Sequence, residues 1–228
     1  MRDFPDPFIA EIAAQPDAIR RAAAALVEER EQMERLREAG VTARTIAFTG
    51  MGSSYDACYP AVNDLAGRGV TALLVDTAEL LHFRRPILKA DTLLVIVSQS
   101  GESAEIVKLV HDLGKQRTRP VLVSVTNGLG NDLARSADIR FDTWAGEETG
   151  PSTKTFAGSM TTLAGIARVL AGDSVDTAAD HTHTAAEGAA LAAERLLADP
   201  EAYADQLAER LGGREVMEIG RASCRERV

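Results

Sequence analysis

The residues best suited to chemistry in this chain are small hydroxyls crowded into one turn, Ser98-Gln99-Ser100-Gly101-Glu102-Ser103. Three hydroxyls, an amide and a glycine within six residues suit the capture of an anion such as a phosphate by neutral donors. Two further turns share that character. In Thr49-Gly50-Met51-Gly52-Ser53-Ser54-Tyr55, glycines let backbone approach a ligand while serines open the following helix. Glu148-Thr149-Gly150-Pro151-Ser152-Thr153-Lys154 repeats the theme and adds Lys154, the one cation of the three turns. Taken singly, each also reads as an ordinary packing and capping device. At one edge of one sheet, the three together would surround a phosphorylated sugar. Glu102 would repel a phosphate and is expected to face away.

Placing these turns together requires strands that end side by side. Apolar runs predict strands over Ile46–Thr49, Thr71–Asp76, Thr92–Ser98, Val121–Val125 and Ile139–Asp142. Helical patterns lie between them over Ser54–Ala66, Thr77–Phe83, Ala104–Leu113 and a short turn near Leu133. Ser152 or Thr153 is expected to cap a last helix ending near Ala171. Alternating units of this kind imply an α/β fold, a three-layer α-β-α sandwich around a mostly parallel five-stranded sheet of flavodoxin-like type. Such sheets bind ligands beyond the carboxyl ends of their strands. Ahead of the sheet, one long exposed helix is predicted from a cap at Asp17 to Ala39, closed by Gly40. From Gly172 to Thr184 the composition reads as a polar interdomain connection. Helices to Leu197 and over Glu201–Leu211 follow, then a strand over Glu215–Ile219. The expected organisation is a helical segment over 1–44, a sugar-phosphate-binding domain over 45–172, and a helical connector with the truncated start of a second unit over 173–228.

Composition narrows the function. The 228 residues carry a formal charge of −9 and no Lys/Arg stripe interleaved with aromatics, which argues against a nucleic-acid surface. No apolar run approaches the roughly 20 residues of a membrane span, and the N-terminus lacks a signal-peptide core. Cys58 and Cys224 have neither metal-ligand nor disulfide spacing, so a cytoplasmic protein is expected. His181 and His183 suggest a metal by spacing but sit in a polar stretch without a third ligand, and no metal site is expected. His82 is read as a core-edge residue and His111 as a helix-surface one.

The turns resemble the sugar isomerase (SIS) domains of the glutamine:fructose-6-phosphate aminotransferase, or glucosamine-6-phosphate synthase, family. That family carries Cys-Gly-Thr-Ser-Tyr, Ser-Gln-Ser-Gly-Glu-Thr and Glu-x-x-Val-Ala-Ser-Thr-Lys where this chain has Met51 to Tyr55, Ser98 to Ser103 and Glu148 to Lys154. Glu11 to Pro16 and Ala78 to Phe83 are similar to two further family segments, in the same order. The resemblance implies that Ser98, Gln99, Ser100 and Ser103 hold a sugar phosphate, with Gly52, Ser53 and Ser54 assisting and Ser152 near the sugar. Met51 replaces the family cysteine, and the third loop is one residue short and carries Pro151. The family places its acid/base glutamate, ring-opening histidine and Schiff-base lysine in a second SIS unit or tail, and its ammonia comes from a glutaminase domain not found here. The run from Ile219 to Val228 departs from the family pattern and resembles translated adapter read-through. The chain is therefore expected to be a fragment of a longer, two-unit protein, and the resemblance implies a homodimer to which the apolar face of the Asp17 helix contributes.

Isomerisation between adjacent sugar carbons needs a tuned proton carrier. Among the turns, Glu148 and Lys154 are the catalytic candidates, with Glu102 the only other side chain able to move a proton. No cofactor is implied. The leading expectation is a glutaminase-less aminosugar-phosphate isomerase, deaminase or aminotransferase-like protein acting on fructose 6-phosphate or glucosamine 6-phosphate. The alternative is a non-catalytic sugar-phosphate sensor. A dinucleotide-binding oxidoreductase would use Asp76 for a ribose, but the Gly-x-Gly-x-x-Gly spacing is missing.

Overall fold

The structure, a computed structural model, describes residues 7–212. Three helices, α1 (Pro7–Ala13), α2 (Gln15–Glu28) and α3 (Arg30–Thr42), lead into β1 (Thr45–Gly50). The chain then alternates through α4 (Ser53–Gly67), β2 (Ala72–Asp76), α5 (Thr77–His82), β3 (Thr92–Val97), α6 (Ala104–Gly114), β4 (Val121–Thr126), α7 (Asp132–Ser136) and β5 (Ile139–Asp142). Three helices complete the described residues: α8 (Lys154–Leu170), α9 (Val175–Leu197) and α10 (Pro200–Leu211).

All four strand pairings are parallel, in the order β2-β1-β3-β4-β5. The register sets Phe48 beside Val95, Val95 beside Val123, and Val125 beside Phe141. Central β3 is buried along its whole length because both sheet faces are covered there, while the edge strands β2 and β5 are buried only in part. On one face Phe48, Val95, Val123 and Phe141 meet Leu163 and Ile166 of α8 and Leu26, Met33 and Leu36 of α2 and α3. On the other, Ala47, Leu94, Ile96 and Leu122 meet Leu80 of α5, Ile106 and Leu109 of α6, and Leu133 of α7. Period-two alternation sends neighbouring strand residues to these two cores.

The N-terminal and C-terminal helices depart from expectation. The single helix predicted from Asp17 is two helices meeting at Glu29, whose φ of −87° and ψ of 28° leave the helical region. The break lets Leu26 on one side and Met33 and Leu36 on the other reach the same core. Ala14, not Asp17, occupies the N-cap of α2, and α3 runs past Gly40 to Thr42. The apolar face assigned to a partner is used within the chain: Ile19 and Ala23 of α2 pack on Ala186 and Ala190 of α9, and Leu26 on α8.

The segment expected to be a polar connection is most of the first half of α9. Ser174 caps it by accepting from the Thr177 N–H at 3.1 Å. Its buried stripe, Val175, Ala178, Thr182, Ala186 and Ala190, follows helical spacing in residues too small or too polar to announce a core face. Thr182 satisfies its buried hydroxyl by donating to the Ala178 carbonyl at 2.7 Å. His181 and His183 lie on the exposed side, and His82 is exposed rather than at the core edge. The strand expected over 215–219 and the terminal read-through segment fall outside the described residues.

Glu29 carries a consequence of its position. One carboxylate oxygen accepts from the Asp142 N–H at 3.4 Å, while the other is buried without a partner. Burial is the dominant effect and pushes its pKa from 4.5 up to about 7. The native carboxyl thus keeps its proton where the unfolded one has lost it, and the protein forfeits stability as pH rises from about 4.5 through about 7. In Glu29→Gln that loss is absent. Urea melts at about pH 4.5 and about pH 8 should show the variant gaining on wild type at the higher pH, and an equal difference at both would refute the assignment.

Candidate functional site

In the order β2-β1-β3, the chain leaves β1 and β3 in opposite directions, so their adjacent carboxyl ends open a crevice at the topological switch point. The helix after β1 packs on one sheet face through Ala57, Ala61 and Leu65. The helix after β3 packs on the other through Ile106 and Leu109. A cleft of about 190 Å³ sits at this point. It takes Met51, Ser53 and Ser54 from the β1–α4 turn, and Ser98, Gln99, Ser100 and Ser103 from the β3–α6 turn. Ser152 reaches it from the loop before α8, and Val97 and Ile106 supply its apolar part. The three hydroxyl-rich turns therefore converge on one hollow. Its volume is below the roughly 300–1,000 Å³ of pockets that enclose a drug-sized ligand, and suits a head group with the rest of the molecule projecting outward.

Local geometry explains the residue types. A Cβ on Gly50 would lie 2.8 Å from the Ser54 backbone carbon, so glycine lets the start of α4 sit directly on the end of β1. Gly52, with φ 54° and ψ −130°, makes the turn without lining the cleft itself. Behind Ser54 lies Cys58, whose buried Sγ donates to the Ser54 carbonyl at 3.2 Å and whose thiol burial keeps well protonated.

In the second turn Ser98 is buried, and its Oγ accepts from the Gly101 N–H at 3.1 Å. Ser100 Oγ likewise accepts from Glu102 N–H at 3.2 Å. Each hydroxyl bonded this way keeps its own proton for a ligand. Ser103 stands at the N-cap of α6 but makes no side-chain cap bond, leaving its hydroxyl available too. Gly101 holds φ +65°, and Asn131 packs against it so closely that a Cβ there would fall 2.0 Å from Asn131 Oδ1. Asn131 in turn caps α7 by accepting from Ala134 N–H at 2.9 Å and donates to the Gly128 carbonyl at 2.7 Å.

The third loop is held by carboxylates that sequence reading gave other roles or none. Buried Glu11 of α1 accepts from Thr149 N–H at 2.7 Å and from Gly150 N–H at 3.3 Å. Its only sequence signal is the N-terminal segment similar to the family. Thr153 stands at the N-cap of α8, as expected, but makes no side-chain cap bond, and Glu148, a catalytic candidate, supplies the capping acceptor. Its carboxylate accepts from Thr153 N–H at 2.9 Å, Thr153 Oγ1 at 2.8 Å, Thr155 N–H at 3.3 Å and the Thr155 hydroxyl. Burial alone would raise its pKa, but the bonds from Thr155 and Thr153 outweigh it and hold the pKa below the usual value. Such a group stays ionised and is a poor proton carrier near neutrality. Lys154, the other candidate, does not line the cleft; its Nζ lies on the side of Gly146.

Among the described residues, no Lys, Arg, Asp or Glu lines the cleft. Hydroxyls and the amino ends of α4 and α6 provide its anion-attracting character, through dipoles rather than ions. Glu102 is turned away, onto an open surface with Lys108, His111 and Asp132. Asp76, the residue a ribose would need, caps α5 by accepting from Ala78 N–H at 2.9 Å and Glu79 N–H at 3.3 Å. Among the described residues no three His, Cys, Asp or Glu come together as metal ligands, and no helix is long and apolar enough to cross a membrane.

Comparison with known proteins agrees with this architecture. Residues 41–167 match the SIS domain family. A glutamine–fructose-6-phosphate aminotransferase (isomerizing) of Pyrobaculum aerophilum is 32% identical over 154 residues, covering 67% of this chain. The chain spans only 25% of the length of that relative. Among solved structures, the C-terminal domain of glucosamine-fructose-6-phosphate aminotransferase from Francisella tularensis superposes with a TM-score of 0.75 at 22% identity, covering 93% of this chain and 62% of that one. Tagatose-6-phosphate ketose/aldose isomerase from Escherichia coli gives 0.62 at 19% identity, covering 82% and 53%. Both structural likenesses speak to the fold.

The Gly101–Asn131 contact yields a direct test. Gly101→Ala places a side chain in the left-handed region and drives Asn131 off its α7 cap, costing on the order of 2 kcal/mol or more. Thermal denaturation should show a clear fall in Tm; a wild-type Tm would mean the turn does not need this glycine.

Proposed function

Because the chain belongs to the SIS domain family, we propose that its cleft binds the phosphate of a phosphorylated sugar, in a protein that isomerises, deaminates or aminates sugars of the fructose 6-phosphate and glucosamine 6-phosphate type. The observation that carries this reading is the convergence of Ser54, Ser98, Ser100, Ser103 and Ser152 on one uncharged cleft between β1 and β3. In it, Ser98, Ser100, Ser103 and Gln99 hold the phosphate, the backbone around Gly52 lets Ser53 and Ser54 close over it, and Ser152 faces the sugar. Assembly as a homodimer and a cytoplasmic setting belong to the same reading.

A second reading, a non-catalytic sugar-phosphate sensor, draws on a different observation. Among the described residues no titratable side chain lines the cleft, Glu148 is committed to the α8 cap, and Lys154 lies outside the lining. The described residues thus favour binding and orientation over proton transfer. In the enzyme reading, the proton carriers come from elsewhere in the assembled protein.

Calorimetric titration with fructose 6-phosphate and glucosamine 6-phosphate, with inorganic phosphate as control, tests the binding. Both sugar phosphates should bind more tightly than inorganic phosphate. Ser100→Ala should weaken all three by about tenfold or more, the value of a hydrogen bond to a charged group. Undiminished affinity in Ser100→Ala, or no binding by wild type, would remove the proposal. Release of ammonia from glucosamine 6-phosphate separates the enzyme from the sensor.

A further inference from the structure

The cleft meets a second polar chain at its Ser152 side. Ser152 Oγ lies 3.1 Å from Thr155 Oγ1, an arrangement in which either atom has the geometry to donate. Thr155 Oγ1 also contacts Glu148 Oε2, and Thr155 is 1% exposed. The three side chains form a line from the cleft to a carboxylate.

The direction of that line follows from counting protons. Ionised Glu148 has no proton to give, so it only accepts. Thr155 has one hydroxyl proton and must direct it to Glu148 Oε2. In its contact with Ser152, Thr155 is therefore left with lone pairs alone. Ser152 must then give its single proton to Thr155. What Ser152 presents to the cleft is an oxygen lone pair.

We propose that Glu148 and Thr155 are positioning residues that fix Ser152 as a hydrogen-bond acceptor, so that it reads a hydroxyl on the sugar and contributes nothing to holding the phosphate. The inference rests on the reading of the cleft as a sugar-phosphate site and deepens it. Ser98 and Ser100 accept from the backbone and keep their protons for an anion, whereas Ser152 is set the other way. One cleft thereby carries two polarities, donors for the ester anion and an acceptor for the carbohydrate.

Thr155→Val keeps the shape and removes the hydroxyl. Ser152 is then released to turn its proton into the cleft, and affinity for fructose 6-phosphate should fall about three- to tenfold while affinity for inorganic phosphate stays within about twofold. Thr155→Ser, which restores a hydroxyl, should recover most of the loss. Ser152→Ala combined with Thr155→Val should be no weaker than Ser152→Ala alone, because both changes remove one interaction. Equal losses for both ligands would mark a structural effect on the loop and overturn the inference, as would additive losses in the double variant or wild-type affinity in Thr155→Val. Should wild type bind inorganic phosphate and fructose 6-phosphate equally, the acceptor role falls while the phosphate site stands. Binding of neither overturns both.

Discussion

Two parallel strands that lie side by side and leave the sheet toward opposite faces impose the constraint on which this structure depends. β1 hands the chain to α4 over one core and β3 hands it to α6 over the other. Nothing of the backbone then bridges the two strand ends, and the gap is a crevice by construction. The fold places two helix amino termini on its rim, so an anion is attracted before any side chain is chosen. The serines refine what the topology has already made.

The edges of that crevice are held by contacts too close for ordinary side chains. Gly50 brings the backbone of Ser54 onto the strand end, and Gly101 accepts the Asn131 amide against its bare Cα. The third loop has no comparable glycine contact with the sheet. It is pinned from outside by Glu11 and from inside by Glu148, both ionisable groups used as backbone acceptors. Asn127 adds a further tie, accepting from Ala145 N–H at 3.1 Å and donating to the Gly146 carbonyl at 2.8 Å. Thus Ser152 is presented by a loop whose geometry depends on the first helix of the chain.

The sheet and two of the three turns were legible because their signals are local. Thr92 to Val97 is apolar at every position but its first, and Ser98 to Ser103 packs hydroxyls into a length no strand or helix interior would favour. What escaped depends on distant partners. Glu11 and Thr149 are 138 residues apart, and nothing near either predicts their bond. The first half of α9 buries alanines and a self-satisfied threonine, a core face without the large apolar residues by which such faces are recognised. Glu29 breaks the N-terminal helix with a residue of good helical propensity, because Leu26 before it and Met33 and Leu36 after it all had to reach one core. Glu148 looked reactive for the reason that makes it a cap: a carboxylate beside a helix start serves either purpose, and only the threonine bonds decide.

On the proposed reading of the cleft, the absence of charged side chains among the described residues that line it governs how fast a phosphate arrives. A chain of net charge −9 repels an approaching phosphate at long range, and dipoles attract it only at contact. Added electrolyte screens the first effect and scarcely touches the second. Ligand arrival should accordingly quicken as ionic strength rises while departure stays nearly constant, the reverse of the behaviour of sites that recruit anions with lysine and arginine.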